Sequence, residues 1–135
     1  MRNSAAAAPR RPRDHRRVAR GLAAHASGHR AEDLVAARYR AEGCELLERC
    51  WRSPAGEIDL ILRDGGTLVF VEVKRAATRE AAAQRIRRPQ MDRIGRAALI
   101  YCETLPGGSL TEMRFDAALV DEAGGIDILR GSFDW

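Results

Sequence analysis

Asp59, Glu72 and Lys74 are the side chains in this sequence best suited to chemistry. Lys74 closes the run Val71-Glu72-Val73-Lys74 and is the single lysine beside 22 arginines. Guanidinium serves nearly every solvating and phosphate-binding use of positive charge, but it is planar and permanently charged. An ammonium on a flexible stem is compact, and its pKa moves with its surroundings, so one lysine among arginines marks a place where an amine is wanted. Compositional accident in an arginine-biased sequence is the plain alternative. Carboxylates such as Asp59 and Glu72 are the oxygen donors that Mg²⁺ (or Mn²⁺) takes, one or two at a time, with water and phosphate completing the shell. Paired acids with an amine beside them suit metal-assisted hydrolysis of a phosphate ester.

Whether the acids meet depends on the elements that carry them. Glu57 to Arg63 and Thr67 to Lys74 read as strands, separated by Asp64-Gly65-Gly66, a tight hairpin. A two-residue Gly65-Gly66 loop sets Asp64 opposite Thr67, and therefore Asp59 opposite Glu72 and Glu57 opposite Lys74. Alternation then gathers Glu57, Asp59, Glu72 and Lys74 on one face, and Ile58, Leu60, Leu62, Val71 and Val73 on the other. Opposed carboxylates repel unless a cation lies between them, and a divalent metal is the simplest such cation. An ordinary hairpin with a Glu72–Lys74 surface pair is the alternative. The apolar neighbours Leu60-Ile61 and Val69-Phe70-Val71 count against it, because unpaired charge is costly there.

The remaining elements follow from periodicity. Ala31, Leu34, Val35 and Tyr39 recur at helical spacing over about Gly28 to Glu42, with Gly43 where a helix would stop. Glu45 to Trp51 reads as a strand, followed by the turn Arg52-Ser53-Pro54-Ala55-Gly56. Residues 76–88 are rich in alanine and arginine and have no clear state. Met91, Ile94, Ala98, Tyr101 and Leu105 trace a second amphipathic helix, ended by Pro106-Gly107-Gly108. Met113 to Val120 is a further strand, and Gly124-Gly125 turns into Ile126 to Leu129. The order α-β-β-β-α-β-β places the chain in the α/β class, α+β by some schemes.

Composition fits one domain in 135 residues. Residues 1–20 hold seven arginines against Asp14, so the remainder is net −2 and the pI of 9.5 reports mainly the tail. With few large apolar residues to pack, residues 1–21 are expected to be a disordered Arg-rich tail, followed by a single domain over 22–135. Such an arm either holds phosphate backbone nonspecifically or is a solvated extension; a mitochondrial-type presequence is a weaker third reading. Nothing resembles a bilayer-spanning stretch or a signal-peptide core, so a soluble cytoplasmic protein with no membrane partner is expected. Cys44, Cys50 and Cys102 lack the close pairs of a zinc site and read as buried or partly buried reduced thiols.

The runs Gly56-Glu57-Ile58-Asp59-Leu60-Ile61 and Leu68-Val69-Phe70-Val71-Glu72-Val73-Lys74 resemble the PD-(D/E)xK nuclease core. Within it the chain is similar to the YraN-like family of bacterial proteins, themselves similar to archaeal Holliday-junction resolvases. The resemblance extends to Gly28-x-x-x-Glu32, to Arg114-Phe115-Asp116 and to Ile126…Phe133-Asp134, covering about residues 28–135. It implies a restriction-endonuclease-like αβββαβ core with a mixed central sheet flanked by helices. It also implies that Asp59 and Glu72 are metal carboxylates, Lys74 the amine beside the attacking water, and Glu32 an additional catalytic and metal-binding carboxylate from the first helix. Where many relatives continue Lys-Thr-Arg, this chain has Lys74-Arg75-Ala76, so any role of that threonine is absent.

Arg75, Arg79, Arg85, Arg87, Arg88, Arg93 and Arg96 crowd the stretch after the motif and suit contacts to flanking phosphates. Gln90 stands where nuclease relatives place a polar residue at the start of the second helix. It is taken with these nucleic-acid contacts, although a solvated helix end is the favoured reading. Aromatics are only 5% of the chain, which disfavours stacking on single strands and favours duplex or junction backbone; the resemblance implies DNA over RNA. A Mg²⁺-dependent endonuclease acting on branched or structured DNA is thus expected, as a homodimer if it resolves junctions. The alternatives are a nucleic-acid-binding protein with the nuclease fold and little or no turnover, and a small interaction domain with a surface ion pair.

Overall fold

The structure is a computed structural model that describes residues 19–132, with side chains from His29 onward, Ser109 excepted. Five strands lie side by side in chain order: β1 (Glu45–Ser53), β2 (Gly56–Asp64), β3 (Thr67–Arg75), β4 (Glu112–Val120) and β5 (Ile126–Leu129). Neighbours are antiparallel except β3 and β4, which are parallel and joined through α2 (Arg79–Ala83) and α3 (Arg88–Cys102). A parallel pair needs a crossover of this length, because a short turn reverses the chain. With α1 (Ala19–Ala41) ahead of the sheet, the order gives a mixed sheet flanked by helices, consistent with the restriction-endonuclease-like core.

Each end of α1 is informative. Gly43 adopts φ 93 and the Cys44 N–H donates to the Tyr39 carbonyl at 3.1 Å, the left-handed stop that a glycine permits. The helix begins at Ala19, within the residues assigned to the tail. The expectation of disorder over residues 1–18 lies outside the described residues, as does the Phe133-Asp134 ending. The ambiguous stretch 76–88 resolves into the five-residue α2, whose Thr78 side chain accepts from the Ala81 N–H at 3.0 Å.

The hairpin register is as the Gly65-Gly66 loop dictates: Asp64 faces Thr67, Leu62 faces Val69 and Leu60 faces Val71. Gly65 takes φ 63, as such a loop requires. The division into one apolar and one charged face is corrected. Leu60, Leu62, Val69 and Val71 pack beneath α1 with Val35 and Tyr39, while Ile58, Ile61, Leu68 and Phe70 pack beneath α3 with Ile94 and Ala98. Both faces are apolar because both are covered by helices, and Ile58 lies on the face opposite Leu60. The charged residues occupy only the end of the sheet.

That end is where the strands part. Pairing of β2 with β3 runs from Asp64 to Leu60 and is not continued to Asp59, whereas β2 stays paired with β1 as far as Gly56. Cys50, between the paired residues Arg49 and Trp51, has φ 49, a left-handed conformation rare outside glycine. The expected backbone pairs Asp59–Glu72 and Glu57–Lys74 are therefore not formed, although the Asp59 and Glu72 side chains still meet.

Candidate active site

Asp59 occupies the gap between the parting strands. Its Oδ2 accepts the Val73 N–H at 2.8 Å, a backbone donor that regular pairing would have used. Glu72 is nearly inaccessible, at 5% exposure, and comes from the β3 face that packs on α3. Burial pushes the Asp59 carboxyl up to about 7, and the adjacent Glu72 charge adds to this. Burial also raises Glu72, against the opposing pull of Lys74. The Asp59 and Glu72 side chains meet, and their contact favours a proton on Asp59 and the charge on Glu72. Two acids brought together in partly desolvated surroundings form a site a cation would fill.

Lys74 and Gln90 complete the cluster. Lys74 Nζ lies 3.0 Å from Glu72 Oε2 and donates to Gln90 Oε1 at 2.7 Å. Gln90 Nε2 donates to the same Glu72 Oε2 at 2.7 Å. The three side chains close a ring in which the amide oxygen must face the amine and the amide nitrogen the carboxylate, so the partners fix the orientation of Gln90. Gln90 is thus part of the acid–amine cluster and not a solvated helix end. Its place follows from the start of α3, where Pro89 sits in the first turn and delivers residue 90 toward the end of β3. The sequence signal was its position at that helix start; nothing in it distinguished an inward from an outward amide.

Glu32 stands apart from this ring. Its Oε1 accepts from the Cys50 thiol at 3.3 Å and lies 3.7 Å from Arg49, which pairs more closely with Asp33 at 2.7 Å. Burial and the charge of Asp59 raise its pKa, so it is within electrostatic reach of the pair. Among the described residues no three His, Cys, Asp or Glu side chains converge as an ion cage. Asp59 and Glu72 are the carboxylates that fit a hard divalent cation, which keeps waters for its remaining positions, and Glu32 is held back by Cys50. Burial and Glu32 push the Cys50 thiol up to about 12, leaving it a donor. Glu57, expected on the charged face, is exposed and lies 3.6 Å from Arg52.

The arginines divide by their partners. Arg79 is engaged by Asp121 at 3.2 Å and Asp127 at 3.4 Å, and Arg88 by Asp92 at 3.2 Å. Both are engaged by carboxylates of the fold. Arg85, Arg87, Arg93 and Arg96 are exposed and, among the described residues, have no ion pair; Arg75 likewise, at the end of β3. Cys44 and Cys102 are buried and Cys50 partly so, all three as free thiols. No described helix is long and apolar enough to cross a membrane.

The profile of a family described as "Uncharacterised protein family UPF0102" matches residues 31–120, a span containing every acid, amine and amide of the cluster. The chain belongs to the UPF0102 family. A UPF0102 protein of a Ruegeria species is 45% identical over 115 residues, 85% of this chain and 93% of its own. Another, from Roseobacter denitrificans, is 42% identical over 121 residues, 90% of this chain and 94% of its own. One from Ruegeria pomeroyi is 43% identical over 116 residues, covering 86% and 94% of the two chains. UPF0102 is thus the YraN-like group expected from the motif runs, and the matches span nearly the full length of these relatives.

Proposed function

We propose that this protein is a metal-dependent endonuclease of the PD-(D/E)xK class that hydrolyses phosphodiester bonds in structured DNA. The observation that carries the reading is the half-buried Asp59 set against the buried Glu72, opened between parting strands with Lys74 Nζ 3.0 Å from Glu72. A surface ion pair would not bring two desolvated acids together, nor need an amide to orient the amine. Asp59 and Glu72 would hold Mg²⁺ or Mn²⁺, which supplies charge neutralisation at phosphate oxygens and a more acidic water.

The chain's own residues do the rest. Lys74, held between Glu72 and Gln90, orients the attacking water and opposes the negative charge that develops on the phosphoryl oxygens. Its partners are both acceptors, which suits an ammonium acting electrostatically better than a free amine acting as base. Gln90 prevents Lys74 from swinging into solvent, as partners of reacting groups commonly do. The exposed and unpaired Arg85 and Arg87, in the segment leading into α3, suit contacts to phosphates flanking the scissile bond.

A second reading, DNA binding without turnover, draws on one observation: Glu32 is turned to Cys50 and Arg49 instead of joining the two acids. The deciding assay is cleavage of duplex, nicked, flap and four-way-junction DNA with Mn²⁺, wild type beside Lys74→Ala. Cleavage that vanishes in the variant supports the nuclease. Cleavage that survives unchanged overturns it, and binding without cleavage in wild type leaves the second reading.

A further inference from the structure

On the other side of β3 from Gln90, a half-open cleft of about 290 Å³ lies between α1 and the ends of β3 and β4. Its lining combines the apolar Leu34, Ala76 and Val120 with the charged Arg30, Arg75, Asp121 and Glu122. This volume is near the lower limit of pockets that take small organic ligands. Leu34 belongs to the helical stripe that the sequence assigned to the core, yet it is 36% exposed, the part of α1 that the sheet leaves uncovered. Neither Arg30 nor Arg75 has an ion pair among the described residues. Asp121, at the same cleft, is occupied by Arg79 at 3.2 Å and by the N–H groups of Ala123 and Gly125, so it does not neutralise them. The exposed Glu122 is one carboxylate against two guanidiniums.

The cleft adjoins the acid–amine cluster through a single peptide unit. Lys74 and Arg75 are consecutive on β3, and alternation turns them to opposite faces of the sheet. Arg75 is fixed there by pairing with Val120, and the next N–H, of Ala76, donates to the Val120 carbonyl at 3.1 Å. A strand laid across the end of β3 therefore meets Lys74 on one side and the cleft on the other. A duplex presents phosphates and sugars outward and keeps its bases stacked, so it has no use for apolar side chains grouped with two arginines. An unpaired nucleotide has a base face to lay on such side chains and a phosphate for the guanidiniums, whose planes also stack on bases.

We infer that this cleft receives an unpaired nucleotide of the substrate strand, next to the scissile phosphate, with its phosphate between Arg30 and Arg75 and its base on Leu34, Ala76 and Val120. The inference rests on the nuclease reading and narrows its substrate to DNA with a duplex–single-strand boundary. The test is fluorescence anisotropy on the full chain in EDTA, which prevents cleavage, with a labelled blunt duplex and the same duplex carrying a single-stranded extension. Wild type is expected to prefer the extended duplex by about tenfold, in keeping with the apolar area that one base face buries on aliphatic side chains. Arg30→Ala/Arg75→Ala and, separately, Leu34→Asp should bring the ratio of the two affinities close to one, with unchanged far-ultraviolet circular dichroism. Duplex binding without preference in wild type overturns the cleft and leaves the nuclease proposal standing, as does a preference that survives in both variants. Binding of neither DNA overturns both.

Discussion

The Asp59 carboxyl accepts the Val73 N–H at 2.8 Å across the point where β2 leaves β3. A side chain has replaced a backbone carbonyl as partner of that N–H, so the acid is built into the sheet. This gives Asp59 a measurable effect on stability. Its pKa rises from an ordinary 3.8 to about 7 through burial and then Glu72, so the folded chain keeps a proton that the unfolded chain releases. Protonation thus favours the fold. The contribution is full below about pH 4 and is lost as pH rises through 7. Urea midpoints of the metal-free protein should fall over that window. Asp59→Asn, whose amide accepts from Val73 and donates to Glu72, should flatten the fall and stabilise the protein by about 1–3 kcal/mol at pH 8. An equally steep decline in the variant would locate the titration elsewhere.

Metal binding should show the same proton from the other side. A divalent cation between Asp59 and Glu72 must displace it, so Mn²⁺ affinity should climb about tenfold per pH unit below 7 and level off above. Calorimetry in buffers of different ionisation enthalpy would count the proton released. Asp59→Asn and Glu72→Gln should each lose the affinity, whereas Glu32→Gln, a residue engaged with Cys50 and Arg49, should weaken it far less. Equal affinity in wild type and Asp59→Asn would remove the site.

Gln90 offers a sharper test of the cluster than the acids do. Its Nε2 and Oε1 tie Glu72 to Lys74, each at 2.7 Å. Gln90→Ala should reduce cleavage by about 10–100-fold, the usual cost of losing such a partner. A merely structural residue would lower the melting temperature without altering the metal dependence of the rate. Here the expected signature is a raised metal requirement with melting little changed.

The hairpin was readable because Asp64-Gly65-Gly66 admits few turns, and from the turn the register from Leu60 to Asp64 is forced. Period-two alternation did not report that both sheet faces are covered: Leu68 and Phe70 look like one strand face whether α3 lies over it or water does. The flip between Ile58 and Leu60 escaped for a different reason. It coincides with a left-handed cysteine, Cys50, and cysteine carries none of the signal that glycine or asparagine would. Gln90 is 18 residues from Glu72, and no spacing rule connects a helix start to a strand end across a crossover. The paired state of Arg79 depends on Asp121 and Asp127, which reach it only once β4 and β5 are in place.

That division of the arginines is testable. Arg85→Ala and Arg87→Ala should each lower the magnitude of the salt slope of DNA binding by about 0.9, the increment for one phosphate contact. Arg79→Ala should leave the slope near its original value, because its guanidinium is held by Asp121 and Asp127. Equal slopes for all three variants would mean that the ion pairs of Arg79 open on binding.

The most destabilising single change should lie away from the cluster, at Asp116. This carboxylate is fully buried and accepts from Tyr39 Oη at 2.6 Å, from Arg114 Nε and Nη2 at 3.0 Å each, and from the Gly131 N–H at 2.9 Å. It joins the end of α1 to β4 and to the residues after β5, and burial and Asp116 together raise the Tyr39 pKa. Asp116→Ala strands a guanidinium and a phenol without their acceptor, which should cost about 3–5 kcal/mol. Tyr39→Phe removes one donor and leaves the carboxylate three others, so about 1–2 kcal/mol is expected. The ordering is the informative part, and chemical denaturation of both variants reads it. If Tyr39→Phe were the more costly, the network would be held by its phenol and the bidentate Arg114 pair would be secondary.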